Sequence, residues 1–336
     1  MAYCIRRQGQ ELKSAKILDA SDPAAIEEAA AVIRQGGLVV FPTETVYGLG
    51  ADACDPLAVA RVFEVKQRPR MDPIIVHVSS PVSAQLYGRF PEEAGLLLQR
   101  FWPGPLTVVV PKTGLVPPIV TAGLDTVAIR MPAHPAALAL IHAAGRALAA
   151  PSANIFGCIS PTEARHVAAQ LSDHVDLILD GGPCVVGVES TVLSLAGAVP
   201  RILRVGGVSL EALREILGRL EWSTNPQGRP EAPGQLTRHY ATRTPMEILK
   251  ADDRRAEPRP GERVGLLSLI AQKAATRYAA VEVLSQSGDL REAAANLFAA
   301  LHRLDTLHLD RLVAHPVPEH GLGIAIMDRL RRCAAR

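Results

Sequence analysis

Short runs of β-branched residues alternate with capped helix starts through residues 1–218, and this alternation constrains the fold most strongly. Asp22-Pro23 and Asp55-Pro56 each place a capping carboxylate and a proline at the start of a helix. The segment from Ser160 to Glu163 has the form of a capping box before an Ala-rich helix. The sequence therefore predicts an α/β domain with a mixed, twisted sheet. Buried strands are predicted from six apolar runs, at 38–41, 74–78, 106–110, 126–129, 175–179 and 191–193.

The composition changes after residue 218. Residues 219–245 lose the hydrophobic period and include a Pro/Gly-rich stretch, which is typical of a linker. Beyond them the alternation resumes, with strands predicted at 264–269 and 311–314 and helices at 289–304 and 321–332. We therefore expect a first domain at 1–218, a linker at 219–245 and a smaller Rossmann-like α/β domain at 246–336. The second domain lacks a glycine fingerprint for phosphate binding, so we expect it to cover or regulate the first domain and not to carry a second catalytic site.

The charges are nearly balanced, with 36 Lys and Arg against 34 Asp and Glu and a formal net charge of +2. A protein that grips a long polyanion by charge alone would be more basic, so we expect any contact with tRNA to be local and weak. No window of about 18 residues is free of charge and proline, which argues against a membrane span. The sequence starts without the apolar segment of a secretory signal, and its cysteines are scattered. A cytoplasmic location with reduced thiols is expected.

Three polar segments interrupt the apolar pattern, at 42–50, 66–77 and 150–162. Each has a purely structural interpretation, respectively a strand-to-helix loop, a solvated cationic face and a helix cap. Loops at the carboxyl ends of strands are nevertheless where α/β folds bind ligands, and convergent cations and helix N-termini favour phosphate. The residues alone thus predict an anion-binding pocket and leave its ligand open.

Several common nucleotide and hydrolase motifs are absent from the sequence. There is no Gly-x-x-x-x-Gly-Lys-Ser/Thr, no Gly-x-Gly-x-x-Gly between a strand and a helix, and no Gly-x-Ser-x-Gly. P-loop, dinucleotide-binding and serine-hydrolase functions are therefore not predicted.

Eight ordered motifs resemble the YrdC-like family, specifically its long two-domain L-threonylcarbamoyladenylate synthases. The C-terminal segment 321–332 resembles the domain that is appended in these long members. The matching strings are FPTETVYGLGADA, KQRPRMDPIIVHV, FWPGPLT, VAIRMPAHP, APSAN with SPT, GVESTV, ILRVGG and PGQLTRHYA.

The resemblance implies a nucleotidyltransferase that converts L-threonine, bicarbonate and ATP into L-threonylcarbamoyl-AMP and pyrophosphate. It implies Mg²⁺ as a cofactor that arrives with ATP, and no dedicated metal ligands. The product would pass to a tRNA threonylcarbamoyl transferase complex, which modifies the adenosine next to the anticodon. The segment from Arg229 to Tyr240 is expected to act as a lid, because it carries a residue of the site.

The resemblance also assigns roles to individual residues. Lys66 and Arg68 are the candidate catalytic residues, placed beside the phosphates. The candidate threonine ligands are Thr45, His77, Arg130, the Ala150 backbone and Ser190. The candidate ATP ligands are Arg68, Asp72, Thr126, Ser152, Asn154, Ser160, Arg204 and Tyr240.

Some positions depart from the family pattern. Gln67 stands where glycine is usual, Asp72 where asparagine is usual, and Phe156 where serine is common. Two alternatives to the synthase stay open on the residues. One is a carbamoyltransferase that makes a carbamoyl-adenylate for another acceptor, and the other is a non-catalytic RNA-binding module.

Overall fold

The computed structural model describes residues 14–222, 230–235, 239–249, 257–272 and 275–335. In this part of the chain the first unit is built on one sheet, in which parallel and antiparallel neighbours are mixed. The strands are β1 (Lys16–Asp19), β2 (Val39–Phe41), β3 (Gly48–Asp52), β4 (Val76–His77), β5 (Leu106–Pro111), β6 (Thr126–Arg130), β7 (Leu148–Ala149), β8 (Leu177–Asp180), β9 (Thr191–Ser194), β10 (Arg201–Arg204) and β11 (Glu221–Trp222). Their spatial order is β1-β8-β2-β3-β7-β4-β6-β5-β9-β10-β11.

Helices cover this sheet and bury their apolar faces against it. Asp22 and Asp55 cap the first two helices through their side chains, and proline occupies the first helical turn of both, as the sequence predicts. The helices are α1 (Pro23–Arg34), α2 (Pro56–Lys66), α3 (Pro81–Ala84), α4 (Ala94–Phe101), α5 (Pro135–Ala144), α6 (Ala164–Leu171) and α7 (Leu210–Leu217).

The second unit has a smaller sheet whose four strands, within the described residues, are all parallel. Its elements are β12 (Met246–Ile248), β13 (Val264–Ser268), β14 (Ala280–Val283), α8 (Leu290–Asp305), β15 (Arg311–Ala314) and α9 (Gly323–Ala334). The predicted strands and helices of this unit are present, and helix α8 is capped by the side chain of Asp289. None of the helices in the described ranges is long and apolar enough to cross a bilayer.

The predicted capping box at Ser160 is wrong. Helix α6 begins only at Ala164, and its N-cap residue Glu163 makes no capping side-chain bond. Ser160 Oγ instead donates to Glu189 Oε1 at 2.7 Å. The hydroxyl thus donates to a buried carboxylate in a charge-assisted bond, whereas in a capping box its oxygen would accept from a backbone N–H.

The polar segment 42–50 is only partly a loop. Gly48 begins strand β3, which pairs antiparallel with β2. A Cβ atom on Gly50 would lie 2.8 Å from Cε1 of Phe41. This glycine therefore allows close packing within the sheet, and the ligand-facing part of the segment is shorter than expected.

The predicted linker also contributes to the first unit. Its residues Glu221–Trp222 form β11, which pairs parallel with β10. Further along, Ala232 is fully buried among Ile75, Val109 and Leu203. Residues 223–229 and 236–238 lie outside the described residues, and they include Arg229 and part of the expected lid.

Candidate active site

A small cavity of about 40 Å³ lies where β4 and β6 end, where β3 and β9 begin, and where the described part of the linker returns. The strand pairings bring together segments that are far apart in sequence, since His77 on β4 lies opposite Arg130 on β6. Nine of the predicted site residues line this cavity: Thr45, Arg68, His77, Arg130, Ala150, Ser152, Ser190, Arg204 and Tyr240.

One side of the cavity carries the residues assigned to threonine. Arg130 is buried, and its Nη2 lies 2.7 Å from Oε1 of Glu44. The other carboxylate oxygen of Glu44 accepts from the backbone N–H of Ala133 at 3.0 Å, so Glu44 is held on both sides. The hydroxyls of Thr43 and Thr45 lie 2.9 Å apart on the adjoining loop. This side offers a cation and hydroxyls that suit a small zwitterion with a hydroxyl group.

His77 is a neutral side chain within this wall. Burial, followed by the charge of Arg130, lowers the pKa of His77 to about 3. The imidazole is therefore uncharged at neutral pH and acts as a polar wall of the cavity. Its ring lies edge-on to Phe41, with 6.0 Å between the centroids.

The cavity wall also carries two further buried arginines. Arg204 donates through Nε and Nη2 to the carbonyl oxygen of Ser190 at 3.1 and 3.0 Å, and through Nη1 to that of Pro233 at 3.2 Å. Arg68 donates to the carbonyl oxygens of Asp72 and Pro73 at 3.2 and 2.8 Å. Arg204 also donates from Nη2 to Oγ of Ser190 at 3.1 Å, so its acceptors among the described residues are all neutral, whereas Arg68 is in addition paired with the carboxylate of Asp72. A phosphate would offer the neutral-bonded Arg204 stronger acceptors.

Five predicted residues lie behind the wall or away from it. Nζ of Lys66 donates to the carbonyl oxygens of Ser152 and Asn154, and burial lowers its pKa well below the usual value. Lys66 thereby braces the loop that carries Ser152. Thr126 begins β6, about 13 Å from Arg130 at 3.3 Å per residue. None of the five lies in the cavity wall: Lys66, Asp72, Thr126, Asn154 and Ser160. Ser160 is nevertheless bonded to Glu189, which does line the cavity.

Asp72 is paired with Arg68. Its Oδ2 lies 2.9 Å from Nη2 of Arg68, and both side chains are buried. Burial raises the pKa of Asp72, opposed by the charges of Arg68, Lys66 and Arg204. The carboxylate is therefore directed at an arginine that also lines the cavity.

Other lining residues were not named individually by the sequence predictions, although they lie in predicted segments. Glu189 and Gly234 stand beside predicted residues in their motifs, and their proximity to Ser190 and Tyr240 was the available signal. His239 directly precedes Tyr240, is buried, and lies edge-on to Phe156 with 5.8 Å between the ring centroids. The lining residues not named individually are Thr43, Val46, Tyr47 and Gly48 of the predicted segment 42–50, Ile75 of 66–77, Pro151 of 150–162, Glu189 of the GVESTV motif, and Pro233, Gly234 and His239 of the expected lid.

The part of the chain that the structure describes contains no cluster of three or more His, Cys, Asp or Glu that could hold a metal ion. Of the carboxylates near the cavity, Glu189 bonds Ser160, whereas both oxygens of Asp72 lack a hydrogen bond. Oε1 of Glu44 likewise has no hydrogen bond, and both carboxylates are paired with arginines, Asp72 with Arg68 and Glu44 with Arg130. A divalent ion would have to take most of its ligands from a bound phosphate.

Comparison with known proteins supports the same assignment. Residues 31–206 match the Sua5/YciO/YrdC family model, which is described as telomere recombination. Residues 208–335 match the model described as the C-terminal domain of threonylcarbamoyl-AMP synthase. The two models together cover both units of the fold.

Whole-chain relatives carry the same name. The threonylcarbamoyl-AMP synthase of Pyrococcus abyssi is 43% identical over 92% of this chain and 94% of its own length. The Bacillus subtilis protein of that name is 42% identical over 94% of each chain. The Schizosaccharomyces pombe protein of that name is 35% identical over 93% of this chain and 88% of its own.

The fold also matches a solved structure of P. abyssi Sua5 complexed with L-threonine. The TM-score is 0.87 at 42% identity, covering 93% of this chain and 95% of that one. A double-alanine variant of that protein, in which a His and a Tyr are replaced, matches at a TM-score of 0.86. The predicted fold class and the family resemblance are therefore confirmed, and the chain belongs to the threonylcarbamoyl-AMP synthase family.

Proposed function

We propose that this chain forms L-threonylcarbamoyl-AMP and pyrophosphate from L-threonine, bicarbonate and ATP. The observation that carries the proposal is the convergence of three buried arginines, Arg130, Arg68 and Arg204, in the wall of a single cavity. The first arginine suits an amino-acid carboxylate and the other two suit a polyphosphate. Once opened, such a cavity would hold the two substrates next to each other.

The reaction needs positioning more than a nucleophile supplied by the protein. The carbamate formed from the threonine amine and bicarbonate attacks the α-phosphorus, and pyrophosphate leaves on the far side. Arg130 would hold the threonine carboxylate, with the hydroxyl of Thr45 and the Ala150 backbone beside it. Arg68 and Arg204 would stabilise the charge that develops on the phosphoryl oxygens. Lys66 acts in this proposal by bracing the Ser152 loop near the phosphates.

The described lid residues have to move for ATP to enter. A cavity of about 40 Å³ is far below the roughly 300–1,000 Å³ of ordinary ligand pockets. Pro233, Gly234, His239 and Tyr240 close one side, and the carbonyl of Pro233 accepts from Arg204. Opening of this segment would break that bond and release Arg204 for the nucleotide, which supports a lid function.

Mg²⁺ would reach the site with ATP. When bound, it supplies charge neutralisation at the phosphate oxygens. Neither oxygen of Asp72 accepts a hydrogen bond, and Asp72 would hold the ion only by giving up its ion pair with Arg68. Arg68, paired with Asp72, would then turn toward the phosphates.

The remaining partners follow from the chemistry of the product. A carbamoyl-adenylate is a reactive mixed anhydride, so it suits direct transfer to a tRNA threonylcarbamoyl transferase complex. We place both in the cytoplasm, and the balanced charge of +2 supports at most a weak contact of this chain with tRNA.

The test is pyrophosphate release from ATP with single omissions. We expect release to require both L-threonine and bicarbonate, and mass spectrometry to identify threonylcarbamoyl-AMP. Release that is equally fast without threonine, or that appears only with another acceptor, contradicts the proposal in favour of the carbamoyltransferase. Tight, steeply salt-dependent tRNA binding without turnover would favour the RNA-binding module.

A further inference from the structure

Arg329 crosses from the second unit to the back of the cavity. It lies on α9, it is fully buried, and its Nε donates to Oε2 of Glu189 at 2.9 Å. Its guanidinium carbon lies 5.4 Å from the ring centroid of Tyr240. Glu189 and Tyr240 both line the cavity, so one side chain of the second unit contacts two parts of its wall.

The side chain of Glu189 is oriented by two partners. Its backbone is fixed separately, because the N–H of Gly207 donates to its carbonyl oxygen at 3.0 Å. The carboxylate accepts from Ser160 Oγ at 2.7 Å and from Arg329. Removing Arg329 would leave the bond to Ser160 as the one contact of a buried carboxylate among the described residues.

Charge balance gives this pairing a consequence for the nucleotide. Glu189 immediately precedes Ser190, whose carbonyl accepts from Arg204. A carboxylate without a counter-ion at this position would repel a triphosphate and would compete for Arg204. Arg329 supplies the counter-ion from behind the wall, and its cation–π contact with Tyr240 holds the described end of the lid in place.

We infer that Arg329 is a positioning residue for the nucleotide side of the site, through which the second unit controls ATP affinity. The expected change in KM rests on the proposed function, whereas the expected change in ATP affinity does not. It does not require Arg329 to touch a substrate. It assigns the second unit a task in the reaction that goes beyond covering the first.

A purely structural role is the competing explanation, because a buried ion pair can be a packing feature alone. The two roles differ in selectivity. Among the described residues, the hydrogen bonds, ion pairs and cation–π contact of Arg329 go to Glu189, Asp328 and Tyr240, and none goes to Arg130, Thr45 or His77. A positioning role therefore affects ATP more than threonine, whereas loss of packing affects both alike.

The experiment compares Arg329→Met and Arg329→Lys with the unaltered full-length chain. Calorimetric titration with ATP gives an affinity that does not depend on turnover, and pyrophosphate release gives KM for ATP and for L-threonine. We expect Arg329→Met to weaken ATP binding and raise KM for ATP about tenfold, which corresponds to about 1.4 kcal/mol. KM for threonine should change less than about threefold, the scale of 0.7 kcal/mol. Arg329→Lys keeps the charge, so its KM for ATP should lie between those of the unaltered chain and of Arg329→Met.

Arg331→Met is the matched control on the same helix. Arg331 pairs with Glu319 at the surface, where both side chains are about half exposed, so its loss should leave both constants unchanged. Equal changes in both constants, or none, would overturn the inference. If Arg329→Met does not fold, Arg329→Lys combined with Glu189→Gln decides the matter, since additive effects on ATP affinity would show that the two side chains do not act together. Failure of the unaltered chain to release pyrophosphate would contradict the proposed function and would still leave ATP affinity to judge Arg329.

Discussion

Two buried carboxylates, Glu44 and Asp72, each stand within ion-pair distance of an arginine in the cavity wall. Asp72 replaces the asparagine expected from the family pattern, and its charge would oppose a triphosphate if it faced the cavity directly. The structure turns it toward Arg68 instead, and burial raises its pKa. The charge of Asp72 is thus offset within the protein, and its effect on ATP is exerted through the orientation of Arg68.

Glu44 gives the residue-scale prediction, because it fixes the arginine assigned to threonine. Glu44→Gln keeps the shape of the side chain and its bond to Ala133 but removes the negative charge beside Arg130. Because Arg130 would lose the ion pair that orients it, we expect KM for L-threonine to rise about tenfold, on the order of 1.4 kcal/mol, with KM for ATP little changed. The kinetic constants from pyrophosphate release check this.

Glu28→Gln is the control for this substitution. Glu28 pairs with Lys16 on the surface, where both side chains are about half exposed, and such pairs contribute little. Its kinetics should match those of the unaltered chain. A Glu44→Gln chain with an unchanged KM for threonine would show that Arg130 keeps its orientation without Glu44.

At the scale of elements, the described linker residues behave as part of the first unit. Ala232 packs in a core cluster with Ile75 and Leu203, and Pro233 accepts a bond from Arg204. Gly234 has a φ of +82°, a left-handed conformation that favours glycine. A Cβ atom there would lie 3.0 Å from Cδ of Arg204. The turn therefore closes against Arg204 in the cavity wall.

The element-scale prediction is that Gly234→Ala impairs ATP use. The added methyl group strains the turn and presses on Arg204, so KM for ATP should rise about fivefold, on the order of 1 kcal/mol. Gly261→Ala is a matched control, because Gly261 has the same φ of +82° but its Cβ would meet open space. Both variants should lose roughly 1 kcal/mol of unfolding free energy, measured in urea. An equal KM for ATP in both would exclude a specific effect of the turn on Arg204.

At the scale of the whole molecule, the two units share one core cluster. Val46, Ile159 and Val188 of the first unit pack with residues of α8 and β13 of the second. Gly187 permits this approach, since a Cβ atom on it would lie 2.4 Å from the carbonyl oxygen of Ala294. The second unit therefore supports the loops that form the back of the cavity.

This shared core predicts that both units unfold together. Phe298 of α8 is fully buried and contacts the ring of Tyr240 at 5.3 Å between centroids. Phe298→Ala should cost about 3–5 kcal/mol. Both tryptophans of the sequence, Trp102 and Trp222, lie in the first unit, so their fluorescence reports on that unit alone. In urea unfolding of Phe298→Ala, we expect the midpoint of the tryptophan fluorescence transition and the midpoint measured by circular dichroism to fall together.

Independent unfolding of the two units would give a different result for Phe298→Ala. A tryptophan transition that stays in place, while circular dichroism gains an earlier step, would mean that the units unfold independently. The inferred effect of Arg329 on ATP affinity would then require that its contacts with the cavity wall persist when the rest of the second unit unfolds.

The sequence by itself determined the elements and the family. Strand runs such as 106–110 and the capping residues Asp22, Asp55 and Asp289 are local signals, because propensity and capping act over a few residues. The ordered motifs also located Thr45, His77, Arg130, Ser190 and Arg204 before any geometry was available. These residues stay together in the fold because the strands that carry them are neighbours.

Only the tertiary structure decided which partners each polar side chain takes. Ser160 has a local capping role in the sequence pattern, yet it bonds Glu189, which lies 29 positions away. Lys66 braces a loop, and Arg329 reaches Glu189 across 140 positions. The physical reason is that a buried charge is stabilised by whichever counter-ion the packing of the chain places beside it. Local sequence patterns do not indicate which residues, far apart in the chain, will be packed together.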